Sequence, residues 1–251
     1  MFKQFSKPLI IGHRGACALA PENTLSSFQL AVEHGADFIE LDAKMSSDGV
    51  VMVIHDPTVD RTTNGSGAVN QMTLAQLKEL DAGSKFDEKF AGEKIPTLDE
   101  VFKAVGQEIF INVELTNYTS QTDRLIPSVV ELVEKNGLKD RVLFSSFLPG
   151  NLKWIHQLLP EAPVGLLCLE GFAGSMSRSF FAMSISPNII HPYLADVNPK
   201  YVEKEHKRGR RVHTWTVNYE DDVRRVVSAG VDGIFTDNPK VTREIMESML
   251  K

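Results

Sequence analysis

The chain has 251 residues, 42% of them hydrophobic and 24% charged, with a formal net charge of -6. That length buries one full core and suits a single α/β barrel, and the acidic balance excludes nucleic acid as the main partner. Two distant cysteines, Cys17 and Cys168, do not make a disulfide framework; Cys17 reads as a small filler near a turn rather than a nucleophile. No export signal precedes the first apolar run and no run approaches the length of a membrane span. A cytoplasmic protein without stable membrane insertion is therefore expected.

In chain order, the apolar run Pro8 to Gly12 stops abruptly at His13-Arg14-Gly15. Thr24 then caps a helical pattern of Leu25, Phe28 and Val32 that closes at Gly35. The next apolar run, Phe38 to Asp42, ends in Glu40-Leu41-Asp42 and leads through Ala43-Lys44-Met45 to the turn Ser46-Ser47-Asp48-Gly49. Val50 to Ile54 returns as the second arm of a hairpin and ends in His55-Asp56. With the turn at 46–49, Met45 faces Val50, Asp42 faces Val53 and Glu40 faces His55, so Glu40, Asp42 and His55 are expected on one side.

Residues 56 to about 94 are too long for one strand-to-helix connection. They read as a small inserted cap overhanging whatever His55 serves, with a helix-like pattern at Leu74, Leu77 and Leu80. Thr97-Leu98-Asp99-Glu100 is a capping box opening the helix of Val101, Phe102 and Val105. Further β-rich runs follow at 109–115, 142–147, 164–168, 189–193, 212–217 and 233–236. Several are apolar on both faces, as covered parallel strands are. Lys204 to Arg211 reads as a solvated helix end stopped by Gly209. Eight strands alternating with helices predict a TIM (β/α)8 barrel, one domain over 1–251 with 56–94 inserted.

Polar groups at the ends of buried strands cost a core stability but suit the mouth of a barrel. Strand parity aims Glu40 and Asp42 together, away from Ile39 and Leu41, and sets Glu114 against the apolar Val113 and Leu115. Three carboxylates with no Cys or His pair at zinc spacing describe a hard oxygen site for Mg²⁺ or Ca²⁺. His13 and His55 add two imidazoles whose ordinary pKa of about 6.5 suits proton transfer, and Arg14 adds a cation. Asp56 is expected to orient His55, and His191 to make a structural hydrogen bond.

His13-Arg14, Glu40-x-Asp42 and His55-Asp56 together resemble the signature of the glycerophosphodiester phosphodiesterase family. Ala20-Pro21-Glu22-Asn23-Thr24, Asp48-Gly49, the strand His213 to Val217 and Gly233 to Pro239 carry the resemblance nearly to the end of the chain. It implies a TIM barrel with a small insertion after the His-Asp. It also implies metal-dependent hydrolysis of a small-molecule glycerophosphodiester to glycerol 3-phosphate and an alcohol. Glu40, Asp42 and Glu114 would hold the divalent metal, His13 and His55 would be the acid–base pair, and Arg14 would bind the phosphate. The resemblance allows the glycerol 2-hydroxyl to attack first, giving a cyclic phosphate that water opens.

Family members often carry Lys two residues after the third carboxylate, where this chain has Thr116. Phosphate binding must then lean on the metal, Arg14 and Lys44, while Trp215 is a candidate wall of the glycerol pocket. Two other readings stand beside this one. A phospholipase-like (lysophospholipase D-type) enzyme would show an exposed apolar rim on the cap or at Gly171-Phe172-Ala173-Gly174, with Phe180 and Phe181 instead read as a helix core face. A non-catalytic phosphate-binding barrel is prompted by Thr116 but lacks none of the acid–base or metal residues. The sequence leaves headgroup preference and homo-oligomer formation open.

Overall fold

The computed structural model describes residues 2, 5, 8–118, 123–176, 185 and 187–249. Its strands are β1 (Leu9–Gly12), β2 (Phe38–Met45), β3 (Val51–Val53), β4 (Phe110–Leu115), β5 (Val142–Ser146), β6 (Val164–Cys168), β7 (Ile189–Pro192), β8 (Arg211–Thr214) and β9 (Gly233–Thr236). All but β3 are parallel, in the order β1-β9-β8-β7-β6-β5-β4-β2, and pairing of β1 with β2 closes the ring. This is the predicted TIM barrel. Helices α1 (Leu25–Glu33), α2 (Leu74–Glu79), α3 (Leu98–Val105), α4 (Leu125–Lys135), α5 (Pro149–Leu158), α6 (Gly171–Met176), α7 (Pro199–Lys207), α8 (Glu220–Ser228) and α9 (Pro239–Ser248) join the strands. No helix among the described residues is long and apolar enough to cross a membrane.

The helix starts follow from local chemistry. The Thr24 hydroxyl accepts from Ser27 N, and Thr73 with Gln76 and Thr97 with Glu100 form complete capping boxes. Gly35, past the end of α1, takes the left-handed φ of 71° that a side chain would resist.

The period-two pattern of the strands positions the site. Leu9, Ile11, Phe38, Leu143, Ile189 and Phe235 form one buried cluster, with Phe2, Phe5 and Phe110 packed against it. The Phe38 and Phe110 rings are 5.1 Å apart, and Phe5 meets Phe110 edge-on at 5.7 Å. Two residues further along the same strand face come Glu40 and Asn112, and two further Asp42 and Glu114, in register across the ladder. Ile39, Leu41, Ala43, Ile111, Val113 and Leu115 belong instead to the cluster shared with the helices. Burying each large apolar side chain stabilises by about 1.5–3 kcal/mol, so the aromatic floor offsets carboxylates set at the other end of the same strands.

The hairpin register differs from the sequence expectation. The ladder pairs Ala43 with Val53, Lys44 with Met52 and Met45 with Val51, one residue out of step. Ser46 is the cause. Its N–H donates to Val50 O at 2.9 Å, its hydroxyl accepts from Val50 N at 2.9 Å and donates to Asp48 Oδ1 at 2.7 Å. The turn is therefore Ser47-Asp48-Gly49, closed by Gly49 at φ 85°, a three-residue loop ending in a left-handed residue. Asp42 O then accepts from Ile54 N at 2.9 Å, and Glu40 does not face His55 across the ladder. A slip of one residue exchanges the faces; His55 reaches the mouth because β3 ends at Val53 and the chain turns away.

After His55 the inserted segment packs a small cluster of its own from Val59, Val69, Leu77 and Ala82, seated on Met52, Ile54 and Ile95. The basic run is not wholly solvated as expected: Arg208 and Arg210 reach Glu205 at 2.9 and 3.0 Å, and Glu205 is buried. Phe172 is 82% exposed, and Leu169 and Met176, near it in sequence, are also exposed; Phe180 and Phe181 lie outside the described residues.

Candidate active site

Side chains on β2, β4, β6 and β9 and just past the ends of β1, β3, β5 and β8 meet at the C-terminal mouth of the barrel. A cavity of about 90 Å³ is lined there by His13, Arg14, Glu40, Asp42, His55, Glu114 and Trp215, with Phe147, Leu167 and Phe235. Seven of the sequence candidates thus come together, and Lys44 lines the adjoining cavity.

One carboxylate oxygen from each of Glu40, Asp42 and Glu114 lies within 4.8 Å of the other two. Asp42 and Glu114 are register partners on neighbouring strands, which sets them side by side. Asn23 Nδ2 donates to Asp42 Oδ2 at 2.9 Å, and the Tyr118 hydroxyl donates to Glu114 Oε1 at 2.6 Å. Burial and the charges of Asp42 and Glu114 push the Glu40 carboxyl well above its ordinary pKa, against the pull of Arg14. Burial and Asp42 push Glu114 up to about 8. Without a further cation the three carboxyls therefore resist being ionised together.

Arg14 takes a left-handed φ of 52°, uncommon for a side-chain-bearing residue. The turn lets its N–H donate to Glu40 Oε2 at 2.9 Å, while Nη1 donates to Glu22 Oε1 at 2.9 Å. Its Nε sits 3.6 Å from Asp42 Oδ2. Burial opposes its charge, yet Asp42, Glu22 and Glu40 hold its pKa above the ordinary value.

Each histidine at the mouth has a carboxylate behind it. His13 Nδ1 is 2.7 Å from Asp237 Oδ1, and His55 Nδ1 is 2.7 Å from Asp56 Oδ1. Asp237 also accepts from Asn218 Nδ2 at 2.6 Å and from Cys17 Sγ at 3.1 Å. Burial and the Asp237 charge push the Cys17 thiol up, which denies it a thiolate and agrees with its reading as a filler.

Lys44 Nζ donates to Thr116 Oγ1 at 2.8 Å and to Thr116 O at 3.1 Å. Lys44 and His55 line a larger neighbouring cavity of about 410 Å³, between the cap and the loop after β4. Trp215 Nε1 donates to His191 O at 2.8 Å, and its ring meets Phe147 edge-on at 5.8 Å. The His191 imidazole makes none of the structural hydrogen bonds expected of it: both ring nitrogens lack partners among the described residues. Burial pushes its pKa down to about 3, and the neutral ring stacks on His213 at 5.4 Å.

The sequence pattern of the glycerophosphoryl diester phosphodiesterase family matches residues 13–241. The chain belongs to this family. A glycerophosphodiester phosphodiesterase of Caldanaerobacter subterraneus subsp. tengcongensis is 40% identical over 235 residues, 93% of this chain and 96% of that protein. A family member from Bacillus altitudinis is 36% identical over 244 residues, 96% of this chain and 98% of its own. Among solved structures, a phosphodiesterase of Oleispira antarctica in complex with the product sn-glycerol-3-phosphate has a TM-score of 0.88 at 30% identity, covering 96% of this chain and 97% of that one.

Glu22, Asn23, Arg61, Tyr118 and Asp237 also support the site, though none stands out in the sequence as a site residue. Glu22, Asn23 and Asp237 stand inside quoted family motifs, which was the available signal. Arg61 and Tyr118 act from loops whose approach to the mouth no local pattern announces.

Proposed function

We propose that this family member hydrolyses glycerophosphodiesters to glycerol 3-phosphate and an alcohol with His13 and His55 as the acid–base pair. It acts as one catalytic domain in the cytoplasm, with the 56–94 cap as part of it. The observation that carries this reading is the single cavity shared by His13, His55, Arg14 and the three carboxylates. Clustered carboxylates, with Glu40 and Glu114 pushed up first by burial and then by their acidic neighbours, fit a divalent cation, Mg²⁺ or Ca²⁺, held by Glu40, Asp42 and Glu114. When bound, such an ion neutralises charge on the phosphoryl oxygens.

The chain's own groups account for the remaining steps. Arg14 offers a cation to the phosphate monoanion from a backbone turn pinned on Glu40. One imidazole takes the proton of the nucleophile as the new P–O bond forms, the nucleophile being water or else the glycerol 2-hydroxyl, whose cyclic phosphate water then opens. The other gives a proton to the departing alkoxide as the old P–O bond breaks. Asp237 and Asp56 fix which ring nitrogen each histidine turns to the cavity. The 90 Å³ mouth is too small for a whole diester, and the adjoining 410 Å³ cavity beside His55 gives the alcohol portion room.

Alanine at His13 or His55 is expected to lower kcat by roughly 10²–10⁴-fold. The double variant should lose far less than the product of the two. Either single variant with near-wild-type kcat would remove the acid–base assignment. The exposed Phe172, Leu169 and Met176 favour testing a lipid-like substrate as a second reading. Liposome co-sedimentation that Phe172→Ser abolishes would support it.

A further inference from the structure

Arg61, from the cap loop, stands between two carboxylates that each hold a different residue of the mouth. Its Nη1 and Nη2 donate to Glu22 Oε2 and Oε1, both at 2.7 Å. Its Nε and Nη2 donate to Asp56 Oδ2 and Oδ1 at 2.6 and 3.1 Å. Glu22 in turn holds Arg14, and Asp56 holds His55. One guanidinium therefore completes an unbroken path from Arg14 through Glu22, Arg61 and Asp56 to His55. The planar fork of arginine can grip two carboxylates at once, which lysine's single ammonium cannot.

We infer that Arg61 is a positioning residue through which the cap sets both the Arg14 guanidinium and the His55 imidazole. The inference rests on the roles proposed above for Arg14 and His55. A purely structural role fits the geometry poorly, because the Arg61 side chain is 48% exposed and pairs so exposed contribute little to folding. Its two partners, by contrast, are mostly covered, with Glu22 at 19% and Asp56 at 25% exposure. The Arg61 bond is the foremost influence holding Asp56 below the usual carboxylate range, and bonds to both carboxylates raise the pKa of Arg61 itself. The clasp thus stays charged across the working pH range, and the cap remains fastened to the barrel loop that carries Glu22.

The test is a set of steady-state cycles on the full chain with glycerophosphocholine, using Arg61→Met, Arg61→Lys, Glu22→Gln and Asp56→Asn. Glu22→Gln is expected to act mainly on KM, through Arg14, and Asp56→Asn mainly on kcat, through His55. Arg61→Met should do both, raising KM and lowering kcat by roughly tenfold each, with the thermal midpoint nearly unmoved. Arg61→Met added to Asp56→Asn should cause little further loss of kcat, and added to Glu22→Gln little further rise in KM, since they act along one path. Arg61→Lys should recover part of one parameter only. Fully multiplicative losses, or wild-type kinetics in Arg61→Met, overturn the inference. A fall in kcat that merely tracks a lowered thermal midpoint also overturns it, and Arg61→Lys supplies the same reading should Arg61→Met fold poorly. Failure of the functional reading would look different: wild-type protein would release no glycerol 3-phosphate at all.

Discussion

Asp237, just past the last strand of the barrel, holds His13, just past the first, with 2.7 Å between Oδ1 and Nδ1. The two residues are 224 apart in sequence and meet because β1 and β9 are ladder neighbours. Burial works to raise the Asp237 carboxyl, but the bonds from His13, Cys17 and Asn218 hold it below its ordinary value. Asp237 therefore stays ionised and keeps the other imidazole nitrogen turned toward the cavity.

Asp237→Asn should lower kcat by roughly 10²-fold while changing KM little, because an amide can hold the wrong tautomer. Stopped assays of glycerol 3-phosphate release would measure this. A variant with wild-type kcat would mean that His13 needs no partner.

Stability of the metal-free protein should fall as pH rises from 6.5 to 8.5. The Glu114 carboxyl, pushed up to about 8 from an ordinary 4.5, is ionised throughout that range when unfolded but mostly protonated when folded until the pH passes 8. Its contribution is complete below pH 4.5 and is lost as pH rises through 8; Glu40 shifts in the same direction. Below pH 6.5 the depressed His191 and His213 work the opposite way, since they must stay neutral to remain buried. The window above 6.5 isolates the carboxylates, at no more than about 1.4 kcal/mol per pH unit for each proton. Thermal melts in EDTA should show the decline, and Glu114→Gln should flatten it. A midpoint that rises with pH across this window would contradict the charge account.

The barrel and the convergence of Glu40, Asp42 and Glu114 at one mouth were legible because both obey parity. Phe38, Glu40 and Asp42 alternate with Ile39 and Leu41, so the sequence displays an inner face that changes from aromatic floor to acidic mouth. The hairpin register was not legible. It turns on the Ser46 hydroxyl, which recruits Val50 N and Asp48 and shortens the turn to three residues. His55 was still assigned to the mouth, but for a reason the structure replaces: it arrives after the ladder ends. His191 failed for a related cause, since a strand-end histidine inside a barrel is walled by Gly165 and His213 rather than by hydrogen-bonding groups.

Lys44→Met should raise KM roughly tenfold with a smaller effect on kcat. Lys44 is the mouth-side cation that reaches Thr116, and burial already holds its pKa below the ordinary value. Loss of a charge-assisted contact to the substrate is of this size. An unchanged KM would confine Lys44 to bracing the Thr116 loop.

The most direct measurement is glycerol 3-phosphate released from glycerophosphocholine by the purified protein, before and after EDTA and after resupply of Mg²⁺ or Ca²⁺. The account predicts product release that EDTA abolishes and a divalent cation restores, with Glu114→Gln needing far more cation for half-recovery. Release that persists undiminished in EDTA, or no release with any cation supplied, would contradict it.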